Sequence, residues 1–260
     1  MGTTSGSFGH NASSVVLTSG RYLSLVTAVL TLLTFSLAIT AVPVAGSFCS
    51  ANCVEYPFHD ILEQFPKDYL WMYPAIILSL VFVSLMVAIH LATDRDRRIF
   101  SLTGLCFALM SSSFLIMDYF IQVSVIQPSL ELGETEGIAL FTMFNEHGIF
   151  IALEDIGYIL MAPALATVAP VLNGNNWRER VVRWSFLAAA IRTIAALVLS
   201  PCNTESGEVT YSKLSQFSAQ EFYSTELTCL HLAVLPVKQN HFEKAAVQSS
   251  IILQPDNKAM

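Results

Sequence analysis

The sequence predicts an all-α fold, a bundle of transmembrane helices. Three observations predict it. Apolar residues make up 53% of the 260-residue chain and charged residues only 13%, about half the charged share of soluble domains. Five long apolar stretches are separated by polar loops, and each approaches the roughly 20 residues that a membrane span requires. The arginines gather in alternate loops, as the positive-inside rule expects of a multi-pass protein.

The elements follow in order. Residues 1–21 form a polar leader, 22–200 the transmembrane domain and 201–260 a polar C-terminal tail. The first span, residues 22–46, has an apolar core longer than the 7–15 residues of a signal peptide, so an uncleaved helix is expected. The second span covers 70–93, with Tyr69, Trp71 and Tyr73 read as an interfacial aromatic belt. The third covers 100–126. The fourth covers 147–172, and its small residues Gly148, Ala152, Gly157, Ala162 and Ala164 suit close helix packing. The fifth, 184–200, is short and carries Arg192. Beyond it only residues 228–237 are apolar, too few to cross. The tail is rich in Ser, Gln and Glu and reads as a weakly ordered extension; a sixth helix is the alternative.

Loop charge sets an orientation. Arg21, Arg95, Arg97, Arg98, Arg178, Arg180 and Arg183 fall on one side of five alternating helices, and the short loops opposite carry only Lys67. The arginine side is therefore expected in the cytoplasm. The sequon Asn11-Ala12-Ser13 then also lies there and is unused. Cysteines introduced at Arg95 or Arg180 should stay unlabelled by impermeant reagents in intact cells; ready labelling would reverse the orientation. Cys49 and Cys53 share a loop on the other side and are a candidate disulfide, which an oxidising compartment permits. Cys106 lies in a span and reads as a packing residue. His90 reads as interfacial.

Asp118, Glu154 and Arg192 each interrupt an apolar span. Counted from the expected outer ends at 1.5 Å per residue, they lie about 12, 10 and 12 Å deep. A charge inside hydrocarbon faces the bundle interior, pairs with another charge or lines a cavity. Equal depth predicts that Arg192 pairs with Glu154, Asp118 or both. Ser111, Asp118 and Gln122 share one face of the third helix, while His147, Ile151, Glu154 and Tyr158 share one face of the fourth. Asp155 is turned about 100° away from Glu154. Asp118, Glu154 and Asp155 exceed the single Arg192, so one carboxyl is expected to hold a proton, meet water or bind a cation.

The stretch Asp118-Tyr119-Phe120-Ile121-Gln122, Gln127-Pro128-Ser129 and the run from Asn145 through His147-Gly148 and Leu153-Glu154 to Tyr158 resembles a set of uncharacterised microbial multi-pass integral membrane proteins. The resemblance covers residues 22–200. It implies a helical membrane fold and no particular activity, and a further helix where this chain has its polar tail.

Several classes are set aside. No basic block points to nucleic acid, no spacing matches a zinc site, and phosphate loops, dinucleotide fingerprints and nucleophile elbows are absent from the sequence. No cofactor or metal is expected. The partners expected are membrane lipid and a small solute, cation or proton bound among Asp118, Gln122, His147, Glu154, Asp155, Tyr158 and Arg192. The alternatives are a membrane enzyme acting on a lipid or isoprenoid through a general-acid carboxyl, and a structural membrane protein.

Overall fold

A computed structural model describes residues 6–41, 54, 56, 58, 61–62, 66–145, 147–172 and 177–199. The tail and the candidate disulfide Cys49–Cys53 lie outside the described residues. The described chain is a helical bundle: α1 (Gly6–Ala41), α2 (Met72–Ala92), α3 (Arg98–Ile121), α4 (Gln127–Leu132), α5 (Ile138–Phe141), α6 (Ile149–Val168) and α7 (Trp177–Leu199). Four helical segments are long and apolar enough to cross a membrane, namely Thr18–Thr40, Lys67–Ala92, Arg95–Leu132 and Ile149–Val171. Helix α7 is of similar length. Its first turns carry Arg178, Glu179, Arg180 and Arg183, which lower its apolar character.

Burial is inverted relative to a water-soluble bundle. On α1, Ser24, Thr27, Ala28, Thr31 and Thr34 are buried, while Leu25, Val29, Leu32 and Leu33 are exposed. The buried set recurs at helical spacing and faces α2. Three of these hydroxyls are satisfied within the helix, since Ser24, Thr27 and Thr31 donate to the carbonyls of Gly20, Leu23 and Thr27 at 2.7–2.9 Å, while Thr34 Oγ1 has no partner among the described residues. Small residues inside and large apolar ones outside suit hydrocarbon as the surroundings, where close packing holds helices together.

Three boundaries differ from the sequence expectation, one of them the start of α7 at Trp177, seven residues ahead of the expected 184. Helix α1 starts at Gly6, inside the polar leader. Residues 6–21 hold no proline, and extending an existing helix adds one hydrogen bond per residue without a new nucleus. The third span also runs past Ile126. A π-helical turn, Gln122–Ile126, carries it into α4. Pro128 lacks the donor an α-turn would use, and the wider turn accommodates that without ending the helix. The helix stops instead at Gly133, whose φ of +75° lets Gly133 and Glu134 N–H close on Leu130 and Ser129 carbonyls.

The interior has two parts. Near the arginine-rich end, Phe82, Met86, Ala108, Ala164, Leu165, Val168, Val182 and Phe186 form an apolar core. The loop there is pinned by Arg97, which donates to the Pro170 carbonyl at 2.9 Å. His90 is more than interfacial: its Nδ1 meets the Ser101 hydroxyl at 2.9 Å. At the other end an aromatic core gathers Phe58, Tyr69, Met72, Leu115, Tyr119, Phe144 and Phe150. Tyr69 is fully buried in it and Trp71 packs against it, so of the three residues read as an interfacial belt only Tyr73 is exposed. Cys106 is exposed on α3 and is not a packing residue.

Candidate functional site

The site grows from the α3–α6 contact, the most extensive in the bundle. Two glycines make it close. A Cβ on Gly104 of α3 would lie 2.7 Å from Val168 Cγ2 and 2.8 Å from the Ala164 carbonyl oxygen. A Cβ on Gly157 of α6 would lie 2.6 Å from Leu115 Cδ2. At this approach Ser111 reaches across and donates to the Gly157 carbonyl at 2.7 Å. The helices are thus locked together one to two turns below the charged layer. Of the small residues expected to serve this packing, Gly157, Ala162 and Ala164 do, whereas Ala152 is exposed.

Above that lock the chemistry is concentrated. Tyr119, only 2% exposed, donates its hydroxyl to Glu154 Oε1 at 3.2 Å and meets the Tyr158 hydroxyl at 3.3 Å. Its ring packs edge-on with Trp71 at 5.2 Å and at a tilt against Phe150 at 6.2 Å. Glu154 and Tyr158 lie one helical turn apart on α6, on the face the sequence periodicity predicts. Asp118 is 1% exposed, and its Oδ2 has no hydrogen-bond partner among the described residues. It is within electrostatic range of Glu154, and Glu154 of Asp155.

Gln122 is also 1% exposed, on the same α3 face as Ser111 and Asp118. Its amide nitrogen donates to the Phe141 carbonyl at 2.6 Å, tying the π-turn to α5, while its Oε1 has no partner among the described residues. Trp71 Nε1 and Gln127 Nε2 are likewise buried without one. Buried polar atoms are almost always satisfied, by protein or by ordered water. Four of them around one aromatic core mark a place where water, a proton or a polar ligand completes the bonding.

The other expected members differ in exposure. His147 is exposed, ahead of α6, and its backbone N–H is fixed by the Asn145 side chain at 3.0 Å. Asp155 is half-buried and within electrostatic range of Glu154. Arg192 is half-buried on α7, which packs on α6. Counted from the arginine-side helix ends, it lies about 22 Å up α7 and Glu154 about 21 Å up α6, so the two stand at similar heights. Tyr119 was not singled out by sequence reasoning. Its signal was present: it follows Asp118 directly and shares a helix face with Leu115, but a tyrosine in an apolar run reads as packing. Asp68, fully buried at the start of the second span, was missed because it sits outside the apolar run.

No group of three or more His, Cys, Asp and Glu residues among the described residues is arranged to hold a metal ion. No protein family, curated protein or solved structure matches the chain.

Proposed function

We propose that this is a multi-pass integral membrane protein that takes up and releases a proton at the Asp118–Tyr119–Glu154–Tyr158 cluster. One observation carries the reading: a single buried tyrosine hydroxyl touches both a carboxylate and a second tyrosine, beside a further carboxyl with unmet hydrogen-bonding capacity. A hydroxyl that donates to one group and accepts from another is a relay element, because the proton it gives is replaced from its other side. The hydrogen bond described at these carboxyls comes from the Tyr119 hydroxyl, a group that can both give and receive a proton. Arg192, at the depth of Glu154, would steady whichever carboxyl is ionised.

Infrared difference spectra recorded on a pH jump, with protein in lipid, test this. The wild type should show a protonated-carboxyl band that shifts in Tyr119→Phe and disappears or halves in Glu154→Gln. A difference spectrum free of carboxyl bands, or one untouched by both substitutions, overturns the proposal. Structural carboxyls paired only to hold helices would give that result.

A further inference from the structure

We infer that the first turns of α7 carry a binding site for the headgroup of an anionic membrane phospholipid. Trp177, Arg180, Val181, Trp184 and Ser185 line an open groove of about 560 Å³ on the outside of the bundle. Trp177, Arg180, Val181 and Trp184 follow the i, i+3, i+4, i+7 spacing of one helix face. The other face of the same helix is spent on packing, with Val182, Phe186, Ala189 and Ala190 buried. Trp177 and Trp184 are 60% and 66% exposed, so the groove is a surface feature and not part of the core.

The occupant follows from position and charge. Trp177 and Trp184 are separated by about 10 Å along the helix, comparable with the thickness of one headgroup layer. Indoles favour that layer, where a ring is half in hydrocarbon and half in water. Arg180 stands between them, with exposed Arg183 one turn further on. A guanidinium offers forked donors that match phosphate oxygens. Glu179, the nearest acid in sequence, is turned about 100° from Arg180 and half-buried. Ser185 donates to the Val181 carbonyl at 2.9 Å, so its hydroxyl is already engaged. A groove lined by two exposed indoles and an exposed guanidinium fits a phosphodiester whose acyl chains continue along the apolar second half of α7. The site lies at the arginine-rich end, far from the Asp118 layer, and stands independently of the proton proposal.

Tryptophan quenching by acyl-brominated lipids gives the test, comparing phosphatidylglycerol with phosphatidylcholine of the same chains. Trp71, at the opposite end, supplies an internal reference. Wild-type protein should associate about fivefold more strongly with the anionic lipid, the effect of one basic residue at a membrane surface. Arg180→Gln should lose most of that preference and Arg180→Lys should keep part of it, with thermal stability unchanged in both. Equal quenching by the two lipids in the wild type, or a full preference retained in Arg180→Gln, overturns the site. Abolition of the preference by excess inorganic phosphate would assign the groove to free phosphate and overturn the lipid reading as well.

Discussion

Gly104→Val should abolish the folded yield in detergent, and even Gly104→Ala should lower the unfolding temperature sharply. The new Cβ would stand 2.8 Å from a backbone oxygen, that of Ala164, and 3.0 Å from Thr167 Oγ1. A backbone oxygen in the middle of α6 has nowhere to go without moving the helix. Overpacking a close-packed interior costs about 1–3 kcal/mol when side chains give way, and more when they do not. Gly157→Ala offers the contrast, because its obstruction is the end of the Leu115 side chain. Leu115→Ala should therefore rescue Gly157→Ala in part, whereas Val168→Ala should not rescue Gly104→Ala. Gly133, with open space around its Cβ position and a φ of +75°, should cost only about 1 kcal/mol on change to alanine, from backbone strain alone. Thermal unfolding in detergent checks every one of these variants. Equal tolerance at Gly104 and Gly133 would mean that α3 and α6 do not approach as closely as described.

Asp118→Asn should separate stability from activity. The substitution keeps the shape and removes the ionisable group. If Asp118 served only to hold helices through a charge pair, breaking the pair would cost about 3–5 kcal/mol. With an Oδ2 that has no hydrogen-bond partner among the described residues, the expected result is a variant at least as stable as the wild type. Proton uptake into proteoliposomes should nevertheless fall about 10²-fold or more, the scale seen when a positioned proton-transfer group is removed. Loss of stability together with unchanged uptake would assign Asp118 to the scaffold. The gain in stability, if it is seen, has a familiar cause: functional sites hold groups that the fold alone would not choose.

Much of the bundle was legible because membrane spans announce themselves by length and apolarity. The second and fourth spans lie within a few residues of their expected ends. The third was placed short at its outer end because the apolar run gives out at Gln127, and a π-turn carries the helix on past that point and through Pro128. The site was legible at Asp118, Gln122, Glu154 and Tyr158, since an intramembrane polar residue on an interior face is rare and periodicity gives its face. It was not legible at Tyr119 or Trp71. An aromatic residue in an apolar run carries no sign of whether it meets lipid, packs silently or presents its hydroxyl to an acid. That distinction depends on which neighbour the α3–α6 approach brings within 3.5 Å, and that approach is set by Gly157 beside the cluster and Gly104 several turns below it.

The length of the third span has an electrical consequence. From Arg98 to Asp118 the helix climbs about 30 Å, close to the full thickness of the hydrocarbon layer, and it continues as helix to Leu132. Measured from Arg98, the carboxyl lies nearer the far side of the hydrocarbon layer than the arginine side. A charge moving between Asp118 and the water on that far side would cross the smaller share of the transmembrane voltage, and one moving to the arginine end the larger share, out of about 2.3 kcal/mol per 100 mV for the whole crossing. Protonation from the far side should depend less steeply on membrane potential than protonation from the arginine side.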